Sequence, residues 1–158
     1  TPILITMTST TTTTLTSKLI ASFIAASVAT TIVFVYVLRA PYIIIQDTAL
    51  VDEYYYTNPT NVASTLFGEM FVGALLLMVA QYVIYATSVS VSLARLCIVA
   101  AVVAMVSFAR YANTSETDTD TDDGSWYERT SLKNAIAYDV IYMVTLYTVM
   151  TTLFSWIV

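Results

Sequence analysis

Residues 19–38 read LIASFIAASVATTIVFVYVL, twenty consecutive positions without a charged side chain. A helix of that length rises about 30 Å, the thickness of the hydrocarbon core of a bilayer. Lys18 stands at its start, and Arg39 and Pro41 close it. A secretory signal begins in a similar way, and Ser27-Val28-Ala29 resembles a cleavage site. The apolar run is longer than the roughly 7–15 residues of a signal h-region, so the stretch reads as a transmembrane helix.

Three more stretches of the same character follow outward from it. Residues 62–87 are interrupted only by Glu69 and Gln81. Residues 89–109 resume the apolar pattern at Leu93, after the short break Ser88–Ser92, and end before Arg110. Residues 136–158 contain the single acid Asp139. Two spans joined by so short a break must be antiparallel neighbours. The expected fold is therefore all-α: an integral membrane four-helix antiparallel bundle, residues 19–158, with the loops 40–61 and 111–133 together on one side. A Thr-rich N-terminal arm, residues 1–18, has no apolar face and is expected to be flexible or extended along a partner.

Composition supports this reading and removes several functions. Of the 158 residues 58% are hydrophobic and 11% charged, against about 25% charged in an ordinary soluble domain. There is no histidine, one cysteine and three glycines. Histidine general-base catalysis, zinc sites built on His/Cys clusters, disulfide scaffolds and glycine-rich phosphate cradles are thereby excluded. The formal charge of −5 argues against nucleic acid, which calls for a basic face. No base is placed to activate any of the many serines and threonines, so no enzyme and no cofactor is expected. The run Asp118–Asp123 resembles a calcium loop in composition, but with Asp118 first, Asp123 and Arg129 fall where an EF-hand requires glycine and glutamate. No metal site is expected there.

Lipid tails are as apolar as leucine, so spans associate through close approach and polar contacts. The first span offers two small-residue ridges, Ala21/Ala25/Ala29 and Ser22/Ala26/Thr30. The third offers Ala100 and Ala104. In the fourth, Thr145, Thr148, Thr152 and Ser155 form a heptad-like hydroxyl seam. Those hydroxyls are expected to bond back to carbonyls of their own helix rather than across to a neighbour. Cys97, within an apolar helix, reads as a small core residue.

Charges inside a bilayer are expensive and must be answered. Glu69 lies about 10 Å along its span from the loop side, and Asp139 lies nearer the same surface. Arg110 ends the third span there, while Arg95 lies near the opposite surface. One reading makes Glu69 and Asp139 carriers of protons or cations, tuned by Arg110 or Arg95. The other makes these four residues intramembrane ion pairs, Glu69 with Arg110 first among them. Neither acid is central and no further ionisable layer marks a path, so pairing is the expected role.

The loops carry the remaining polar and aromatic character. Ile43-Ile44-Ile45 has the propensity of a short strand or an interfacial segment. Tyr54, Tyr55 and Tyr56 suit the headgroup region, as does Trp126. With Asp118 and Asp120, these aromatics are the candidate partner-facing residues. Cations favour placing the loops in the cytoplasm, whereas the sequon Asn113-Thr114-Ser115 favours the far side; the two signals oppose each other. The function expected from all this is non-enzymatic and structural: an integral membrane, multi-pass subunit whose partners are the lipid bilayer and other protein subunits, anchoring or organising a larger assembly. An accessory subunit of a membrane complex and a virion membrane or minor capsid-associated component both fit. The alternative is a small proton- or cation-conducting protein that uses Glu69 and Asp139.

Overall fold

The computed structural model describes residues 3–57, 59–114 and 130–157, and all regular structure among them is helical. Helix α1, Ile3–Thr31, runs directly into a π-helical stretch, Ile32–Val37. Two short helices follow, α2 (Ala40–Ile45) and α3 (Thr48–Tyr55). Three long ones complete the chain: α4 (Pro59–Ala86), α5 (Ser92–Thr114) and α6 (Leu132–Ile157). Four stretches are long and apolar enough to cross a membrane: Thr14–Val37, Leu66–Ala86, Ser92–Asn113 and Leu132–Trp156. They coincide with the four stretches read from hydropathy.

Two segments differ from expectation. The Thr-rich arm is helical, with α1 beginning at Ile3. Threonine lowers helix propensity by only about 0.7 kcal/mol per residue, and the apolar span supplies the costly nucleus, so each threonine merely extends an existing helix. The isoleucine triplet is likewise helical, closing α2. A short apolar run does not choose between strand and helix by itself. Here Pro41 in the first turn presets a helical φ.

Chain reversals are set by single residues. Arg39 (φ 49°), Gln46 (φ 65°) and Ser88 (φ 53°) take the left-handed conformation that stops a helix, although none is glycine. Asp47 then restarts the chain, its carboxylate accepting the Leu50 N–H at 3.0 Å as the N-cap of α3. After Ser88, the Arg95 side chain donates to the Val89 carbonyl at 3.0 Å. Arg95 therefore also serves the α4–α5 turn.

Helix α6 is the centre of the packing, with α5 along one side and α1 along another, while α2 also touches it. Helix α4 packs on α5 and α3 and meets α1 over a shorter stretch. Ala26, Val35, Ala80, Val99, Val103 and Leu146 are all at most 1% exposed and fill the centre. Of the two ridges on α1, Ser22, Ala26 and Thr30 are buried, whereas Ala21, Ala25 and Ala29 are exposed. Adjacent ridges stand about 100° apart, so one helix face cannot bury both. Ala100 and Ala104 are half-buried. Cys97 is exposed, which corrects the expectation of a core thiol.

The hydroxyl seam of α6 behaves locally. Thr145, Thr148 and Thr152 each donate to the carbonyl four residues back at 2.8 Å, and Ser155 donates to the Thr152 carbonyl at 2.7 Å. Thr148, Thr152 and Ser155 face outward. With their protons spent on the backbone, these groups present mainly methyl and methylene surface.

Candidate functional site

The buried acids and most of the buried phenols lie near one end of the molecule, where α2 and α3 meet the long helices, while Ser22 and Ser27 are buried further back along α1. Capping by Asp47 aims α3 so that its last turn points inward. Tyr55 is 5% exposed, and its hydroxyl donates to Glu69 Oε1 at 2.9 Å. The Tyr56 hydroxyl donates to the Val35 carbonyl at 2.6 Å. That carbonyl lies in the π-helical stretch, where the wider turn weakens the helix's own bonding and leaves oxygens reachable from the side. Burial pushes the Tyr55 phenol well above its ordinary value, with the Glu69 charge acting the same way. Burial also raises Tyr56. Both remain neutral donors under any physiological condition.

A file of rings continues from Tyr55 across α6. Tyr138 lies 6.2 Å from Tyr55 between ring centroids, 5.8 Å from Phe34 and 6.3 Å from Tyr142, with which it stacks at 11°. Tyr142 meets Phe34 edge-on at 5.7 Å, and its hydroxyl shares a buried 2.8 Å hydrogen bond with Thr31. Beside the file, the Ser107 hydroxyl donates to Asp139 Oδ2 at 2.5 Å, joining α5 to α6. Arg110, one turn beyond Ser107, is within electrostatic reach of both Glu69 and Asp139. Of the four residues expected to pair, Glu69, Asp139 and Arg110 are thus brought together: the two acids share the field of one guanidinium, and each also accepts a hydroxyl hydrogen bond, from Tyr55 and from Ser107. No group of three or more Asp, Glu, Cys or His side chains able to hold a metal occurs among the described residues.

Tyr55 and Tyr56, expected to face a partner, turn inward instead and tie the loop to the bundle. Tyr54 is half-buried against Tyr55, at 5.6 Å between centroids. The physical reason is the short helix α3: residues one apart on it cannot all face out. Asp118, Asp120 and Trp126 lie outside the described residues. Sequence reasoning missed Thr31, Phe34, Ser107, Tyr138 and Tyr142. The i, i+4 spacing of Tyr138 and Tyr142 around Asp139 was the available signal, since it places two phenols on one helix face next to an acid.

An outer clamp supports this end. Tyr42 stacks on Tyr56 at 5.3 Å, Tyr36 meets Tyr56 edge-on at 5.8 Å, and the Tyr42 hydroxyl donates to Asp52. Asn134 Nδ2 donates to the Ile45 carbonyl at 3.2 Å, pinning α2 to the start of α6. The hydrogen bond to Asp52, with smaller help from burial, pushes the Tyr42 phenol up to about 12. The folded state therefore keeps a proton that the unfolded chain sheds near pH 10. The clamp's contribution is complete below about pH 10 and is lost as pH rises through about 12. In a 295 nm titration, Asp52→Asn should return one phenol towards its ordinary value, and Tyr42→Phe should remove that step. An unchanged titration in both variants would disprove the clamp.

Comparison with protein-family models, with curated proteins and with solved structures found no match. The geometry of the site therefore carries the functional reading.

Proposed function

We propose that the chain is a multi-pass integral membrane protein whose four long helices form an antiparallel four-span bundle, and that it acts as a non-enzymatic structural subunit anchoring or organising a larger assembly. The observation that carries this reading is that the acids and phenols between the helices near the loop end are answered by hydroxyl hydrogen bonds from neighbouring helices. Tyr55 bonds Glu69, Ser107 bonds Asp139, and Thr31 and Tyr142 share a third bond, three separate contacts between helices. Beyond those contacts the centre is filled mainly by Leu77, Ala80, Ile84, Val99 and Leu146, with the small hydroxyl side chains of Ser22 and Ser27 from α1 among them. Cross-helix bonds of this kind stabilise a bundle by about 0.6–2 kcal/mol each and fix which faces meet. A conducting protein needs polar groups or water along the whole crossing.

Two measurements on the purified full-length chain test the proposal. Reconstituted in liposomes with an imposed pH gradient, it should give no flux above that of empty vesicles. Extracted in mild detergent from its native membrane, it should migrate with other subunits. Flux abolished by Glu69→Gln or Asp139→Asn would establish the conducting alternative, and isolation as a lone polypeptide would overturn the subunit reading.

A further inference from the structure

The outer face of α4 carries a pattern that neither the core nor the site uses. Phe67, Phe71, Ala74, Met78, Gln81 and Tyr85 succeed one another at spacings of four, three, four, three and four residues. This is a heptad seam sustained over nearly three repeats, the period at which a second helix can wrap alongside. Phe67 (69% exposed), Phe71 (68%), Met78 (68%) and Tyr85 (82%) all point away from the bundle. Helix α4 spends a neighbouring face, about 110° round its axis, on the rest of the molecule through Gly73, Leu77, Ala80 and Ile84.

Gln81 decides what occupies the seam. It is exposed, its amide makes no hydrogen bond within the described chain, and it sits five residues inside the end of the apolar stretch Leu66–Ala86. A carboxamide in hydrocarbon seeks a partner that can both donate and accept. Two copies in one membrane with the same orientation are related by a two-fold axis along the membrane normal, which brings equivalent seam residues face to face. An amide then meets an identical amide, and each supplies what the other lacks. A single polar residue at a seam position is also the device that sets register and copy number in coiled coils. We infer that the outer face of α4 is a self-association surface, occupied by α4 of a second copy, with Gln81 hydrogen-bonded to its counterpart. The inference rests on the reading of α4 as a transmembrane helix.

Cysteine cross-linking of the full chain in liposomes tests it. In a Cys97→Ser background, Met78→Cys should give a disulfide-linked dimer under mild oxidation, and Ile141→Cys on the exposed side of α6 should give several-fold less. Adding Gln81→Leu to Met78→Cys should weaken association about five-fold, as expected for loss of one interhelical hydrogen bond. Equal cross-linking at positions 78 and 141, or no effect of Gln81→Leu, would overturn the inference. Treating Met78→Cys with a membrane-impermeant maleimide separates the two layers of reasoning. A thiol shielded from the reagent yet never cross-linked removes the dimer alone, whereas rapid labelling removes the membrane reading beneath it.

Discussion

Tyr142→Ala is expected to lower the unfolding free energy in lipid–detergent micelles by about 3–5 kcal/mol, the range for deleting a buried aromatic ring. Tyr142 lies where three elements meet: its ring stacks on Tyr138, receives Phe34 edge-on, and its hydroxyl binds Thr31. Truncation opens a void that α1 and α6 cannot close without sliding, because Val35 and Leu146 are already fully packed. Tyr142→Phe keeps the ring and removes only the hydrogen bond, for an expected loss of about 1 kcal/mol. The ratio between the two variants is the informative quantity. Similar losses would show that the hydroxyl, rather than the ring, holds α1 to α6.

Tyr55→Phe should lower the same free energy by about 0.6–2 kcal/mol, the range for a hydrogen bond between helices in a membrane protein. The substitution removes the oxygen that donates to Glu69 and also interacts with the Tyr138 hydroxyl, leaving the ring against Tyr138 intact. Pairing it with Glu69→Gln isolates the contact. If the bond carries the effect, the double variant should lose markedly less than the sum of the two single losses. A strictly additive pair would show that Tyr55 acts through packing alone. Amide exchange in α3 should rise in the single variant, since this bond ties the last turn of that helix to α4.

How much of this was legible beforehand follows from the range of the forces involved. Hydropathy is a local signal integrated over about 20 residues, so the four long apolar helices stand out in the sequence nearly as they lie in the structure. The back-bonding of Thr145, Thr148 and Thr152 is equally local and equally readable. Which ridge of α1 is buried depends on the azimuth of a helix more than 100 positions away, and no window along the chain contains that fact. The same holds for Tyr55. Its neighbours in sequence suggest an interfacial tyrosine, and only the corner made by Gln46 and Asp47 turns it inward to Glu69. Glu69 and Asp139 were recognisable as groups needing partners, with Arg110 the conspicuous one, whereas hydroxyls are too common in the sequence for Ser107 to stand out.

The wide turn at Ile32–Val37 has an angular consequence. With the Leu38 N–H reaching back five residues to Val33, the stretch accommodates roughly one residue more than an ordinary helix would over the same rise. The chain therefore leaves the first span with its heading offset by roughly the 100° that one residue contributes. Without that phase offset, Ala40–Ile45 would swing away from the other helices instead of landing on the start of the last one. The turn thus works as an azimuth setting for everything built at that end of the molecule.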